Sequence, residues 1–72
     1  MVVRLFATLR EGRGKEADIP WHEGIDGHTV LKALDLEPED VKIFLINGLH
    51  NEPDATLKPD DVIALFPAIG GG

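Results

Sequence analysis

Apolar and polar positions alternate at both ends of the chain and change period in the middle. Val2 to Thr8, VVRLFAT, is β-branched and apolar with rough alternation, which predicts a strand almost at the amino terminus. LREGRGK follows, where Gly12 and Gly14 mark a turn. Glu16–Trp21, EADIPW, reads as a second strand antiparallel to the first; Pro20 lacks an N–H and assigns it to a sheet edge. HEGIDG is a loop. Thr29 is placed to cap a short helix, VLKALDL, whose Val30, Leu31 and Leu34 share one face at helical spacing. A helix of about two turns survives only by packing on a sheet, and Pro38 is expected to stop it.

Lys42–Ile46, KIFLI, is a continuous apolar run and predicts a central strand. Asn47-Gly48 is the strongest short turn signal in the chain. LHNEPDATLKPDD is polar, contains Pro53 and Pro59, and has room for a turn of tight helix around Ala55–Leu57. VIALF, Val62–Phe66, is the last strand. The order β-β-α-β-loop-β predicts an α+β fold: a mixed sheet of four to five strands with one short helix across one face.

A chain of 72 residues is one domain at most. At this size folding buries only about 60% of the unfolded chain's surface, so the core is thin. There is no cysteine, which excludes a disulfide framework, a thiolate metal site and a cysteine nucleophile, and suits a reducing cytoplasm. No stretch resembles a signal peptide or a membrane span, so neither secretion nor a membrane is expected. The net charge is -6, yet residues 1–15, with Arg4, Arg10, Arg13 and Lys15 against Glu11, carry a local +3. A net acidic surface argues against nucleic acid. It serves solubility, or a basic partner protein.

The side chains offer no enzyme. Glu11–Glu16, EGRGKE, has one residue between its glycines where a phosphate loop needs four, and a strand rather than a helix follows, so it reads as a turn. His22, His28 and His50 are scattered over loops without metal-ligand spacing, and no metal site is expected. Asp60-Asp61 and Glu39-Asp40 sit in turn contexts, where Asp bonds its own backbone. Thr8, Thr29 and Thr56 are the only hydroxyl-bearing residues, and none has a base partner.

The end of the chain, LFPAIGGG, is different. Along the last strand Ile63 and Leu65 alternate with Val62, Ala64 and Phe66, so one set faces the helix and the other faces outward. If KIFLI pairs with this strand, Leu45 lies on the outer face near Ala64 and Phe66; the opposite parity would put these residues in the core. Pro67 cannot donate to a ladder, so pairing is expected to end there. Residues 1–67 are thus read as the domain and 68–72 as a flexible tail. Extended, that tail spans roughly 17 Å. Gly70, Gly71 and Gly72 have no side chains and fit a channel too narrow for any Cβ. Glycine ends are also commonly idle slack.

LFATLRE (Leu5–Glu11) and DDVIALFPAIGGG together resemble the MoaD-type small sulfur-carrier subunit of molybdopterin synthase, in the MoaD/ThiS branch of the ubiquitin-like β-grasp superfamily. The similarity covers nearly the whole chain in element order. Gly71-Gly72 match the family's diglycine and Phe66-Pro67 its Phe-Pro, which the related thiamin-pathway carrier usually lacks. Ala68 stands where a second proline is usual, and Asp60-Asp61 where Gly-Asp is common.

The resemblance implies chemistry on Gly72. A MoeB/ThiF-like adenylyltransferase would use ATP to form an acyl-adenylate, and a sulfurtransferase or other sulfur source would turn it into a thiocarboxylate. A MoaE-like large subunit would receive the tail and pass its sulfur to a pterin precursor. This chain would bind no cofactor and act as a co-substrate, with catalytic groups on its partners. Phe66, Pro67, Ala64 and Leu45 would form the partner interface, with Phe66 as its anchor. Two other functions use the same residues: a ubiquitin-like modifier joined through Gly72 to lysines, and a carrier for thiamin or another sulfur-containing metabolite. A plain β-grasp interaction module with idle glycines is a further possibility.

Overall fold

The computed structural model describes residues 1–68. The expectations placed on Gly70, Gly71 and Gly72 fall outside the described residues. Five strands form one mixed sheet: β1 (Val2–Leu5), β2 (Glu16–Asp18), β3 (Val41–Ile46), β4 (Leu49–His50) and β5 (Val62–Pro67). Their order across the sheet is β2-β1-β5-β3-β4. β5 runs parallel to β1 and antiparallel to β3, so the last strand in sequence is the middle one in space. β3 lies beside it and is an interior strand, as its apolar run predicted, flanked by β5 and by the short outer strand Leu49–His50 that the polar loop concealed. The helix α1 (Gly27–Ala33) supplies Val30 and Leu31 to the core formed with Val3, Leu5, Phe44, Ile63 and Leu65.

Several boundaries differ from the sequence reading, each for a local reason. β1 stops at Leu5 rather than Thr8. Ala7 takes a positive φ of 54°, and the chain tightens into a 3-10 turn, Ala7–Arg10, that drops Leu9 into the core. β2 ends at Asp18, short of Pro20, and lies on the sheet edge as expected. The helix is capped by Asp26, not Thr29: its carboxylate accepts from the Thr29 N–H at 3.0 Å and from the Thr29 hydroxyl at 3.0 Å. Those hydrogen bonds, the backbone one foremost, hold the Asp26 carboxyl below its ordinary pKa.

The helix also ends earlier than Pro38 requires. Asp35 turns left-handed at φ 59°, and the Arg13 Nε donates to the Leu34 carbonyl at 2.8 Å, satisfying a helix-end acceptor from across the fold. Pro38 instead opens a second 3-10 turn, Pro38–Asp40, closed by the Asp40 carboxylate accepting from the Glu37 N–H at 2.8 Å. Ala55–Leu57 forms no helix. Thr56 bridges to Asp26, and Leu57 is buried in the core with its carbonyl accepting from Trp21 Nε1 at 3.0 Å.

The Asn47-Gly48 turn is present, both residues at positive φ. Asn47 also ties the turn to the root of β5, since its amide donates to Asp61 at 2.9 Å and its side-chain oxygen accepts from the Val62 N–H at 2.9 Å. Asp61 in turn accepts from the Lys58 N–H at 2.8 Å. Asp60 is not among the positive-φ residues, so the missing glycine of that turn costs no left-handed strain.

Candidate functional site

The pairing of β5 decides which residues surround the root of the tail. Leu65 lies opposite Phe44, and Ile63 opposite Ile46, on the face covered by the helix. Ala64 therefore lies opposite Leu45, and Phe66 opposite Ile43, on the other face. Leu45, Ala64, Phe66 and Pro67 are all half-buried and do not belong to the buried core. Arg4 of β1 flanks Ala64 from the parallel side.

Phe66 is not alone. The Phe6 ring stacks on it, centroids 4.2 Å apart and planes within 7°. Phe6 leaves β1 on the parity of Val2 and Arg4, a signal the sequence carries, but the extended strand reading obscured its meeting with Phe66. The 3-10 turn then returns Arg10 toward the same ring. Its Nε donates to the Leu5 carbonyl at 2.7 Å, and its guanidinium carbon stands 5.3 Å from the Phe6 ring centre. Arg4 stands 5.6 Å from the same centre. Two cations thus border an aromatic pair on a chain of net charge -6.

Beside this pair is an open groove of about 480 Å³, lined by Ala7, Lys42, Ile43, Phe66, Pro67 and Ala68. β5 ends at Pro67, as expected; the proline lies opposite Val41, and one further backbone bond, from the Ala68 N–H to the Asp40 carbonyl at 3.3 Å, fastens the chain just beyond it. The sequence reading missed Phe6, Arg10, Lys42 and Ile43, because a strand pairing and a turn bring them to the exit.

His22, His28 and His50 occupy three separate segments, and among the described residues no three His, Asp or Glu side chains converge as metal ligands. No helix among them is long and apolar enough to cross a membrane.

Two comparisons bear on this arrangement. A family model described as the ThiS family matches residues 3–72. A solved structure from Pyrococcus furiosus, assigned as a molybdopterin converting factor, subunit 1, is similar with a TM-score of 0.76 and 24% identity, over 94% of this chain and 95% of that one. The shared architecture is the ubiquitin-like β-grasp fold.

Proposed function

The chain belongs to the ThiS family of MoaD/ThiS-like sulfur carriers, and on that premise we propose that Gly72 is its reacting residue, adenylated and then converted to a thiocarboxylate. The observation that carries the reading is the family match itself, which runs from residue 3 through Gly72 and takes in the glycine end as well as the sheet. A carboxylate is a poor electrophile. A MoeB/ThiF-like adenylyltransferase makes it reactive: a Gly72 carboxylate oxygen attacks the α-phosphate of ATP and pyrophosphate leaves. Sulfide then attacks the carbonyl carbon and AMP departs, leaving a thiocarboxylate. If a sulfurtransferase persulfide delivers the sulfur, a thiol must also reduce the acyl disulfide that forms. Glycine leaves that carbonyl carbon unshielded.

The acceptor is a pterin precursor held by a MoaE-like large subunit, a reading supported by the likeness to a molybdopterin converting factor subunit and by Phe66-Pro67 ahead of the glycines. The chain contributes its end as co-substrate, and the catalytic groups belong to the partners. Docking falls to the outer face: Leu45, Ala64, Phe66 and Pro67, to which the Phe6 stack adds a rigid aromatic anchor.

Intact-mass measurement tests this. The chain is incubated with ATP, a ThiF-type adenylyltransferase and a sulfur source. A mass increase equal to one oxygen exchanged for sulfur, lost on deletion of Gly72, is the expected result; an unchanged mass refutes it. Adding a MoaE-like subunit and the pterin precursor then reports the acceptor, since transfer returns the chain to its starting mass.

A further inference from the structure

Pro67 has no N–H, so a regular antiparallel ladder between β3 and β5 would lose a bond at that point. The register instead shifts between Val41 and Ile43: β3 advances two residues, from Ile43 to Val41, while β5 advances one, from Phe66 to Pro67. This irregularity carries the pairing as far as the proline, where β5 ends, and one backbone bond, from Ala68 to Asp40, follows it. It also has a consequence for side chains. Successive residues of a regular strand point to opposite faces. Here Lys42 and Ile43, adjacent in sequence, both line the groove against Phe66, Pro67 and Ala68. Lys42, the residue at the bulge, thus sits on the rim of the groove where the tail leaves the sheet, and it also borders the neighbouring hollow formed with Val41, Phe44 and His50.

Lys42 is exposed and forms no ion pair among the described residues, whereas Arg4 lies 3.9 Å from Glu16. Its charge is therefore free to meet a partner. From the Proposed function, that partner is the protein whose cleft receives the tail for activation. We propose that Lys42 is a specificity-determining residue of docking, pairing with a carboxylate at the mouth of that cleft.

Charge selects the occupant. Arg4 and Arg10 lie over Phe6 beside the same strand end, so with Lys42 this side of the exit is cationic on a chain that is acidic as a whole, while Glu39 and Asp40 line the opposite side of Pro67 and Ala68. A second copy related by a two-fold axis through the groove would bring Lys42 against Lys42, which disfavours it. A carboxylate-rimmed cleft meets the apolar groove and the free cation together.

Pyrophosphate release with ATP and a ThiF-type adenylyltransferase provides the test, comparing the wild-type chain with Lys42→Arg, Lys42→Gln and Lys42→Glu at low and high salt. The KM for the chain should rise about tenfold for Lys42→Glu and about threefold for Lys42→Gln at low salt, with kcat unchanged. Lys42→Arg should stay within about twofold of wild type, and the differences should shrink at about 0.5 M salt. Melting temperatures should match throughout, since the side chain is exposed. An unchanged KM in Lys42→Glu overturns the inference. A lowered KM overturns it too, because it would mean that Lys42 holds the chain's own anionic end. If the wild-type chain releases no pyrophosphate, the sulfur-carrier reading itself fails, and this result is separate from any effect of Lys42.

Discussion

The two faces of β5 use one strand for opposite ends. Ile63 and Leu65, wholly buried, belong to the core that α1 covers. Val62, Ala64 and Phe66 are also apolar, yet Val62 remains 41% exposed and Ala64 and Phe66 half-buried. A solvated sheet face normally alternates to polar residues. Apolar residues retained where folding gains little from them point to a use outside the fold. The inner face specifies the domain, and the outer face is the one we propose for docking.

The largest test of this contrast is Leu65→Ala. It removes a fully buried side chain and should cost about 2–5 kcal/mol, read from urea unfolding. Gly27→Ala probes the same side through backbone packing, because a Cβ there would lie 2.6 Å from the Pro53 carbonyl oxygen and 2.7 Å from the Phe44 ring. A loss of about 1–3 kcal/mol is expected. Phe66→Ala removes the stack with Phe6, about 0.5–1.5 kcal/mol, together with the area its half-buried ring covers, and should still cost less than Leu65→Ala. It should nevertheless raise the KM of adenylation about tenfold or more. If Phe66→Ala unfolds the domain as readily as Leu65→Ala does, the division between the faces is wrong.

The smallest effect is at the helix cap, which holds α1 over the inner face. Asp26→Ala should cost about 1 kcal/mol near neutral pH. The folded-state pKa of Asp26 lies below its ordinary value of 3.8, so its contribution is present above that value and fades as pH falls through the lower folded-state pKa. The stability difference between wild type and Asp26→Ala should therefore close in acid, as measured by thermal unfolding at stepped pH.

The contrast between the faces was legible in the alternation of Val62 to Phe66, and the tight turn in Asn47-Gly48. Less legible were features set by single dihedrals or distant partners. Nothing in FAT reveals that Ala7 turns left-handed, so β1 was read three residues too long and the Phe6 stack was missed. Asp26 and Thr29 are both competent caps, and the bond between them, with Asp26 accepting, resolves the choice. Leu57 looked like loop because its neighbours are polar; it is buried because its backbone N–H reaches the Ile25 carbonyl from a remote segment. A proline predicts a lost bond, but not the shifted register that bridges it.

Because Val62 pairs with Val2, the sheet closes through its centre only when its final strand exists. The β1–β2 and β3–β4 hairpins meet only through β5, so until that strand docks a gap remains between them. Chains cut short before Val62 would present two unjoined halves to proteases. A chain that stops before β5 therefore lacks both the strand that joins the sheet and the residues beyond it on which we propose the chemistry takes place.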